Sequence, residues 1–258
     1  MRIVVCANNW VGYEILVWLK EQGAEIVGLV IHPTESQKFS DRILAAAKLP
    51  ENNIFYGNML DNPTTLAAIQ KLCPDIAISV YFGYIFRKSF INLFTKGCIN
   101  LHPAYLPYNR GAYPNVWSIV DGTPAGVTLH YIDEGIDSGD IIAQKEVEVL
   151  PVDTGESLYR RLESASIDLF HETWPRICCG EICCQPQRGG EGTFHCIHDT
   201  DQLDAINPNQ VYTAEKLINI LRARTFPPHK GAYLLAGAKK IYLSLKLEEE
   251  SEQESSSE

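Results

Sequence analysis

Residues 2–31, RIVVCANNWVGYEILVWLKEQGAEIVGLVI, decide the fold. RIVVCA is a short apolar run typical of a buried strand, and apolar residues recur with a helical period from Val11 to Lys20. Gly23 follows as a helix stop, and EIVGLVIH predicts a second strand. A strand, a helix and a strand in this order favour two parallel strands joined by a crossover helix.

The same alternation continues to residue 103. SDRILAAAKL predicts a helix with Ser40 as its N-cap, and NPTTLAAIQKL predicts one with Asn62 as N-cap and Pro63 in the first turn. NIFYG, DIAISVYFGY and CINLHP predict strands. The sequence therefore predicts an α/β fold, with a mostly parallel sheet and helices on both faces.

The loop after the first strand, CANNWVG at residues 6–12, contains no G-x-G-x-x-G fingerprint. That fingerprint lets a backbone approach the pyrophosphate of a dinucleotide, and the chain also lacks the G-x-x-x-x-G-K-[ST] phosphate loop. We therefore expect a Rossmann-like sheet that does not bind the usual dinucleotide.

The second half of the chain predicts a different pairing. GVTLHYI and DIIAQKEVEV alternate with a period of two around an acidic loop at residues 133–140, which indicates antiparallel strands. Asp153 and Thr154 cap a long helix that ends near Cys178. We expect four regions: a main domain at 1–180, a connector at 181–204, a C-terminal subdomain at 205–248 and a disordered tail at 249–258.

The C-terminal subdomain is predicted to be one helix and one hairpin. TAEKLINILRART begins with Thr213 as its cap, and GAYLLAGAKKIYLSLKLE predicts a β-hairpin that turns at residues 236–238. An isolated hairpin is only marginally stable. It therefore packs on its own main domain or pairs with a second subunit.

Charge and hydropathy exclude several classes of protein. The 258 residues carry a formal net charge of -10, and a protein that grips a long phosphate backbone normally shows a basic face. Extended nucleic-acid binding is disfavoured, whereas a small anion held by a few groups is allowed. The N-terminus lacks the pattern of an export signal and no apolar run has the length of a membrane span, so we expect a cytoplasmic protein.

Eight cysteines raise the question of a metal site. The run CCGEICC at 178–184 and HCIH at 195–198 suggest zinc ligands, but two paired C-x-x-C knuckles are missing. A disulfide framework is not expected in a cytoplasmic chain of this size. We therefore expect free thiols and no metal.

Candidate catalytic groups lie in INLHPAYLPYNRG, residues 99–111. Asn100 and His102 are two positions apart on a strand that Pro103 ends, so they share one side of it. Asp137 lies in the later acidic loop and can return to hold the imidazole. Asn offers an amide donor for a developing oxyanion, His moves protons near neutral pH, and Asp orients the His. The residue types alone also fit turn chemistry with a hydrogen-bonded structural histidine.

INLHPAYLPYNRG followed by GVTLHYIDEGIDSGDII resembles the family of N10-formyltetrahydrofolate-dependent formyltransferases. The resemblance implies that Asn100, His102 and Asp137 are the catalytic residues and that N10-formyltetrahydrofolate is the formyl donor. It leaves two proton routes open, through His102 or through a water held by Asp137. It implies that the pterin lies between two stretches: Phe82, Gly83, Tyr84, Ile85 and Phe86, and Ile132, Asp133, Glu134, Gly135 and Ile136. From residue types alone, core packing of a strand end is the favoured explanation of the aromatic side chains in the first stretch.

Within this family the chain most resembles the amino-sugar N-formyltransferases, whose C-terminal region often builds a dimer. The resemblance rests on residues 102–144, on GEGTFH and on TFPPHKGAYL. It implies a homodimer and an acceptor that is a dTDP-linked 3-amino or 4-amino deoxysugar, used for lipopolysaccharide or O-antigen. Aromatic and cationic side chains, or those beside a helix N-terminus, are candidate contacts for it: Asn8, Asn9, Trp10, Tyr105, Tyr108, Arg110 and Tyr113.

Other functions stay open at this point. Glycinamide ribonucleotide and methionyl-tRNA are acceptors within the family, and the acidic charge with a short C-terminal region counts against tRNA. A folate-dependent hydrolase and a folate- or nucleotide-binding relative without catalysis are the remaining alternatives. The complete set of Asn100, His102 and Asp137 disfavours a pure binder.

Overall fold

A computed structural model describes residues 1–187 and 190–250. The predicted disordered tail lies outside the described residues from position 251 onward. The strands and helices in chain order are β1 Arg2–Ala7, α1 Trp10–Glu21, β2 Glu25–Ile31, α2 Ser40–Ala47, β3 Ile54–Tyr56, α3 Pro63–Lys71, β4 Ile76–Val80, α4 Lys88–Ile91, β5 Cys98–His102, β6 Arg110–Gly111, α5 Pro114–Val120, β7 Gly126–Tyr131, β8 Ile141–Glu146, α6 Gly155–Cys179, β9 Phe194–His195, α7 Asp199–Asp204, α8 Ala214–Ala223, β10 Tyr233–Ala236 and β11 Lys239–Tyr242.

A seven-stranded sheet with the order β3-β2-β1-β4-β5-β7-β8 forms the centre of the molecule. The five strands from β3 to β5 are parallel, whereas β7 is antiparallel to β5 and β8 is antiparallel to β7. The predicted α/β, mostly parallel, Rossmann-like sheet is confirmed, and so is the antiparallel pair in the second half. Two small sheets complete the fold, β6 with β9 and β10 with β11.

Helices cover both faces of the sheet, as predicted. One apolar cluster packs side chains of α1, α2, α5 and α6 against the sheet, with Leu16 and Phe170 among its fully buried members. A second cluster on the other face includes Ile69 of α3 and Phe90 of α4. Burying apolar side chains on both faces is what makes the central strands near-continuous hydrophobic runs.

Local capping signals predicted three helix starts correctly. Asn62 accepts hydrogen bonds from the N–H groups of residues 64 and 65, and Pro63 is the first residue of α3. Thr154 caps α6 and Thr213 caps α8 through the same kind of bond. Each bond satisfies an N–H group that the first helical turn leaves free.

Ser40 is not the N-cap that was predicted. The cap of α2 is Phe39, and Ser40 is the first helical residue. The N–H of Phe39 donates to the carbonyl of Asn8, and its ring packs 6.1 Å from that of Tyr13. These contacts with the first loop hold Phe39 at the cap position, so the helix begins one residue earlier than the local signal indicates.

One predicted strand is shorter in the structure, and the predicted connector contains secondary structure. The strand predicted from DIAISVYFGY ends at Val80, because Tyr81 takes a left-handed conformation with φ 50°. The segment predicted as a connector contains a strand, β9, and a helix, α7. The irregular composition of that segment hid both, since β9 is only two residues long and pairs with β6, far back in the chain.

The C-terminal helix packs on the main domain, and the hairpin packs Leu234 against that helix while its opposite face is largely exposed. Helix α8 contacts α5 and α6, and Arg224 at its end forms an ion pair with Asp204 of α7. The hairpin turns between β10 and β11 at the predicted place, and Leu235 and Tyr242 on one of its faces are 61% and 43% exposed. No helix in the described part of the chain is both long and apolar enough to span a membrane.

Candidate active site

Strand β5 carries two of the predicted catalytic residues. It lies between β4 and β7 in the middle of the sheet, and its Asn100 pairs with His130 of β7. His102 is the last residue of the strand and is 8% exposed. Because both side chains leave the same side of the strand, both reach the third predicted residue, Asp137.

Asp137 lies in the loop between β7 and β8, and that loop folds back over the sheet. The antiparallel register pairs Tyr131, the end of β7, with Ile99 near the start of β5. The chain then returns far enough for Asp137 Oδ2 to lie 3.5 Å from His102 Nε2, and for Asp137 Oδ1 to lie 3.5 Å from Asn100 Nδ2. The structure therefore brings Asn100, His102 and Asp137 together.

The N–H of Gly111 donates a 2.9 Å hydrogen bond to Asp137 Oδ2. Gly111 has φ 89°, and a Cβ atom there would lie 2.3 Å from the carbonyl oxygen of His195 in β9. A residue with a side chain cannot occupy this position without moving one of the two strands. The close pairing of β6 with β9 thus determines where the carboxylate of Asp137 is held.

His130 is a member of the site that the sequence interpretation missed. Its Nε2 lies 3.2 Å from Asn100 Nδ2 and 3.6 Å from Asp137 Oδ1, while its Nδ1 lies 2.7 Å from the carbonyl oxygen of Tyr131. Nδ1 donates to that carbonyl, since a carbonyl oxygen can only accept, and Nε2 faces both Asn100 and Asp137. The alternation of GVTLHYI already placed this histidine on a buried strand, but only the register with β5 sets it against Asn100.

The charges of the site favour an ionised carboxylate beside a neutral imidazole. Burial opposes the charge on Asp137, but His102, His130 and the N–H of Gly111 outweigh it and hold the pKa of this carboxyl below its usual range. Burial lowers the pKa of His102, against the opposite influence of Asp137. At neutral pH His102 is therefore ready to accept a proton, with a carboxylate beside it.

The two stretches predicted to hold the pterin lie next to each other. Ile132 packs against the same apolar cluster as Phe82 and Phe86, and an ion pair of 2.7 Å joins Lys88 to Glu134. Phe82 and Phe86 are buried in that cluster, so they are part of the core. Other residues of each stretch face solvent. In the first stretch Gly83 and Ile85 are exposed and Tyr84 is partly exposed, and in the second stretch Asp133, Gly135 and Ile136 are exposed.

Residues of the first strand-to-helix loop have clear structural contacts. The Asn8 side chain donates to the carbonyl of Ser36 and accepts from the N–H of Lys38. Asn9 is the N-cap of α1, where its side chain accepts from the N–H of Gly12. Trp10, the first residue of α1, is only partly buried at the carboxyl end of β1.

The other four predicted acceptor contacts surround the loop after β5. Tyr105 packs over Gly126, where a Cβ atom would lie 2.9 Å from its ring, and Tyr108 is also partly buried. Arg110 belongs to β6, two positions after Tyr108. Tyr113 is 44% exposed, and the guanidinium of Arg224 lies 6.0 Å from its ring centre.

The cysteine and histidine runs do not converge on a metal centre. All eight cysteines are free thiols, and residues 1–187 and 190–250 contain no group of three or more His, Cys, Asp or Glu that could hold a metal ion. His195 instead stacks on Trp117, with ring centres 3.9 Å apart, and lies 3.2 Å from Asp121. It fastens β9 to α5.

Comparison with known proteins identifies the family. The formyl transferase family matches residues 1–173, and the N-formyltransferase dimerization C-terminal domain matches residues 199–249. The methionyl-tRNA formyltransferase of Alkaliphilus oremlandii is 30% identical over 256 residues, covering 97% of this chain and 82% of the relative.

Two solved structures are similar over most of the chain. A 4-N formyltransferase from Francisella tularensis has a TM-score of 0.81 and 29% identity, covering 96% of this chain and 98% of its own. A formyltransferase from Anoxybacillus kamchatkensis, in complex with UDP-4,6-dideoxy-4-formamido-L-AltNAc and tetrahydrofolate, has a TM-score of 0.56 and 31% identity, covering 78% of this chain and 89% of its own.

The chain belongs to the formyl transferase family. Both the family and the structural neighbours identify it as an enzyme, an N-formyltransferase.

Proposed function

We propose that this N-formyltransferase moves the formyl group of N10-formyltetrahydrofolate to the amino group of a nucleotide-linked amino deoxysugar. The observation that carries the proposal is the buried group of Asn100, His102 and Asp137, in which an amide donor, a neutral imidazole and a carboxylate face one another. This combination suits the attack of an amine on a carbonyl group.

The residues present fit a folate donor. Ile85 and Ile136 are 66% and 40% exposed, one on each of the two adjoining stretches, so apolar surface is uncovered where a flat heterocycle would lie. In the catalytic group, His102 Nε2 is buried and has no hydrogen bond within the described part of the chain. When bound, the folate supplies a formyl group already activated for transfer.

Each catalytic residue then has one role. Asn100 Nδ2 is an amide donor for negative charge that develops on the formyl oxygen. His102 takes up at Nε2 the proton that the attacking amine releases, because it is neutral at pH 7. It returns this proton to the folate nitrogen when the bond between that nitrogen and the formyl carbon breaks. The ionised Asp137, 3.5 Å away, stabilises the imidazolium that results.

The acceptor is proposed from the relatives and from charge. One similar structure is named as a 4-N formyltransferase and another as a sugar N-formyltransferase. A third holds a UDP-linked formamido sugar. We propose a dTDP-linked sugar, with a UDP-linked sugar as the variant to test beside it. Trp10, Tyr105, Tyr108, Arg110 and Tyr113 are the proposed contacts, through stacking and a fixed cation.

Methionyl-tRNA is the second candidate acceptor, because the relative from Alkaliphilus oremlandii is aligned over nearly the whole chain. A net charge of -10 disfavours binding of a long phosphate backbone. The similarity to a sugar N-formyltransferase from Shewanella, over 97% of this chain and 99% of that protein, favours the sugar.

The test is turnover with defined acceptors. The protein is incubated with N10-formyltetrahydrofolate and each of dTDP- and UDP-linked 3-amino and 4-amino deoxysugars, glycinamide ribonucleotide and methionyl-tRNA. Folate release and the mass of the acceptor are followed, with His102→Asn as the inactive control. Formylation of an amino sugar is expected; turnover only with the ribonucleotide or the tRNA contradicts the acceptor.

We also propose that the protein is a homodimer joined through the hairpin of β10 and β11. Leu235 and Tyr242 form an exposed apolar patch on one face of that hairpin, and its residues belong to the matched dimerization domain. Sedimentation should give twice the mass of the chain, and Leu235→Glu should halve it. A monomer in the unaltered protein contradicts this arrangement.

The proposed donor and acceptor also suggest where the enzyme acts. Reduced folates and nucleotide sugars are cytoplasmic metabolites, so we propose that the reaction takes place in the cytoplasm and serves the synthesis of a surface polysaccharide such as lipopolysaccharide O-antigen. Cell fractionation tests the location, and loss of the formamido sugar from the polysaccharide of a deletion strain tests the role.

A further inference from the structure

The loop that carries Asp137 has a backbone conformation that needs support. Asp137 has φ 52°, in the left-handed region that residues with a side chain rarely adopt. The contact with the N–H of Gly111 restrains its carboxylate but leaves its main chain free. Groups from elsewhere in the fold must therefore hold the main chain if Asp137 is to keep facing His102.

Gln187 provides such a contact from a distant part of the chain. It lies in the segment after α6, and its Nε2 donates hydrogen bonds of 2.9 Å to the carbonyl of Asp137 and 2.8 Å to the carbonyl of Gly139. Both N–H groups of one side-chain amide are used in this way. Gln187 thus joins the carbonyl groups of the two residues that flank Ser138.

The backbone beside Gln187 is held against the same loop. Gln185 both donates to and accepts from Ile141, the first residue of β8, with two bonds of 2.8 Å. On the other side of the loop, a Cβ atom on Gly139 would lie 2.0 Å from the carbonyl oxygen of Tyr131. These two contacts restrict the loop at both ends, and the hydrogen bonds of the Gln187 side chain restrict it between them.

We propose that Gln187 is a positioning residue, whose two hydrogen bonds keep the loop in the conformation that places Asp137 against His102 and Asn100. It acts through Asp137 and touches no reacting group. The inference rests on the catalytic role proposed above for Asp137. Groups that orient ligands or catalytic residues through hydrogen bonds typically change activity by about 10- to 100-fold when they are mutated.

A purely structural role for Gln187 makes a different prediction. It would lower the stability of the fold and leave turnover per folded molecule unchanged. A positioning role lowers kcat with little change in KM, because substrate binding stays intact while the carboxylate moves away from the imidazole. It also changes the titration of His102 in the enzyme without substrate.

The experiment compares Gln187→Ala with Gln185→Ala, a matched control two positions away. The side chain of Gln185 is exposed and makes no hydrogen bond within the described residues, while its backbone bonds survive the substitution. For Gln187→Ala we expect kcat to fall about 10- to 100-fold, with KM changed less than about twofold. Gln185→Ala should keep both values.

The second readout is the imidazole of His102, followed by NMR in the enzyme without substrate. Asp137 raises the pKa of His102, whereas burial and the neighbouring His130 lower it. Moving Asp137 away should therefore lower the pKa of His102 in Gln187→Ala and leave it unchanged in Gln185→Ala. This readout needs no acceptor, so a wrong acceptor assignment shows as missing turnover in the unaltered enzyme and leaves the test of Gln187 intact.

Unchanged kcat and unchanged His102 titration in folded Gln187→Ala would overturn the proposal. Should that variant not fold, Gln187→Glu serves instead, because it keeps the length of the side chain but has no N–H donor when ionised. Failure of both variants to fold would also overturn the proposal, in favour of a structural role.

Discussion

The carboxylate of Asp137 offers the sharpest test of the proposed mechanism. Asp137→Asn keeps the size of the side chain and one oxygen for the N–H of Gly111, but it removes the negative charge beside His102. At the 3.5 Å that separates Oδ2 from Nε2, a unit charge pair is worth about 5 kcal/mol with an effective dielectric constant of about 20. Both side chains are more than four-fifths buried, so solvent screens this attraction little.

That energy acts only when His102 carries a proton, during the reaction. Since about 1.4 kcal/mol corresponds to a tenfold change in rate, we expect kcat of Asp137→Asn to fall about 10³-fold. KM should change little, because the ground state contains a neutral imidazole. Steady-state rates of folate release over a range of acceptor concentrations separate the two constants.

Asp140→Asn is the matched control. It makes the same change of charge in the same loop, three positions later, on an exposed side chain. We expect it to retain its kcat. A fall of less than tenfold in folded Asp137→Asn, or an equal fall in Asp140→Asn, would refute the argument from the local charge pair.

Two further predictions concern stability. Burial holds the pKa of His102 below the value of about 6.5 that it has in the unfolded chain. As the pH falls, the unfolded state therefore binds a proton at this histidine before the folded state does. The free energy of unfolding should then decrease below pH 6.5, by at most about 1.4 kcal/mol per pH unit. Urea unfolding at pH 7 and pH 5.5 should show this decrease. In His102→Gln the decrease should be smaller but still present, because the pKa values of His32 and His171 are lowered too. An equal decrease in the variant and the unaltered protein would contradict the assignment to His102. Gly111→Ala should lower both Tm and kcat, because its Cβ would meet a carbonyl oxygen of β9 at 2.3 Å and displace the N–H that holds Asp137. Gly23→Ala, also at positive φ but with open space around it, is the control, and an equal effect in both would show that backbone conformation alone is responsible.

Sequence signals succeeded where the stabilising contact is local. The caps at Asn62, Thr154 and Thr213 bond to N–H groups within three positions, so the residues that decide them are adjacent in the sequence. The prediction for Ser40 was wrong because contacts of Phe39 with a distant loop shifted the start of α2. The strand before Tyr81 was predicted too long for a related reason. Tyr81 leaves the strand conformation, and its hydroxyl forms a hydrogen bond with that of Ser166 in α6, which is distant in the sequence.

Only part of the site was predictable in the same way. Asn100 and His102 are two positions apart on a strand, so the pleat alone places them on one side. Their approach to Asp137 was an expectation based on motif order, and the structure shows it as a distance. His130 was missed because its place beside Asn100 follows from the register of two antiparallel strands, which neither strand encodes by itself.

The sequence by itself determined the alternation of strands and helices, the absence of a dinucleotide loop, and the motifs that place this chain among the formyltransferases. These features depend on period, on caps and on turn residues, whose free energies are set by neighbours in the chain. Tertiary structure alone decided that Gly111 and Gln187 would hold Asp137, since both contacts join segments 26 and 50 residues apart. Such contacts form only when the sheet register, the returning loop and the segment after α6 are all in place, and no local preference specifies that combination.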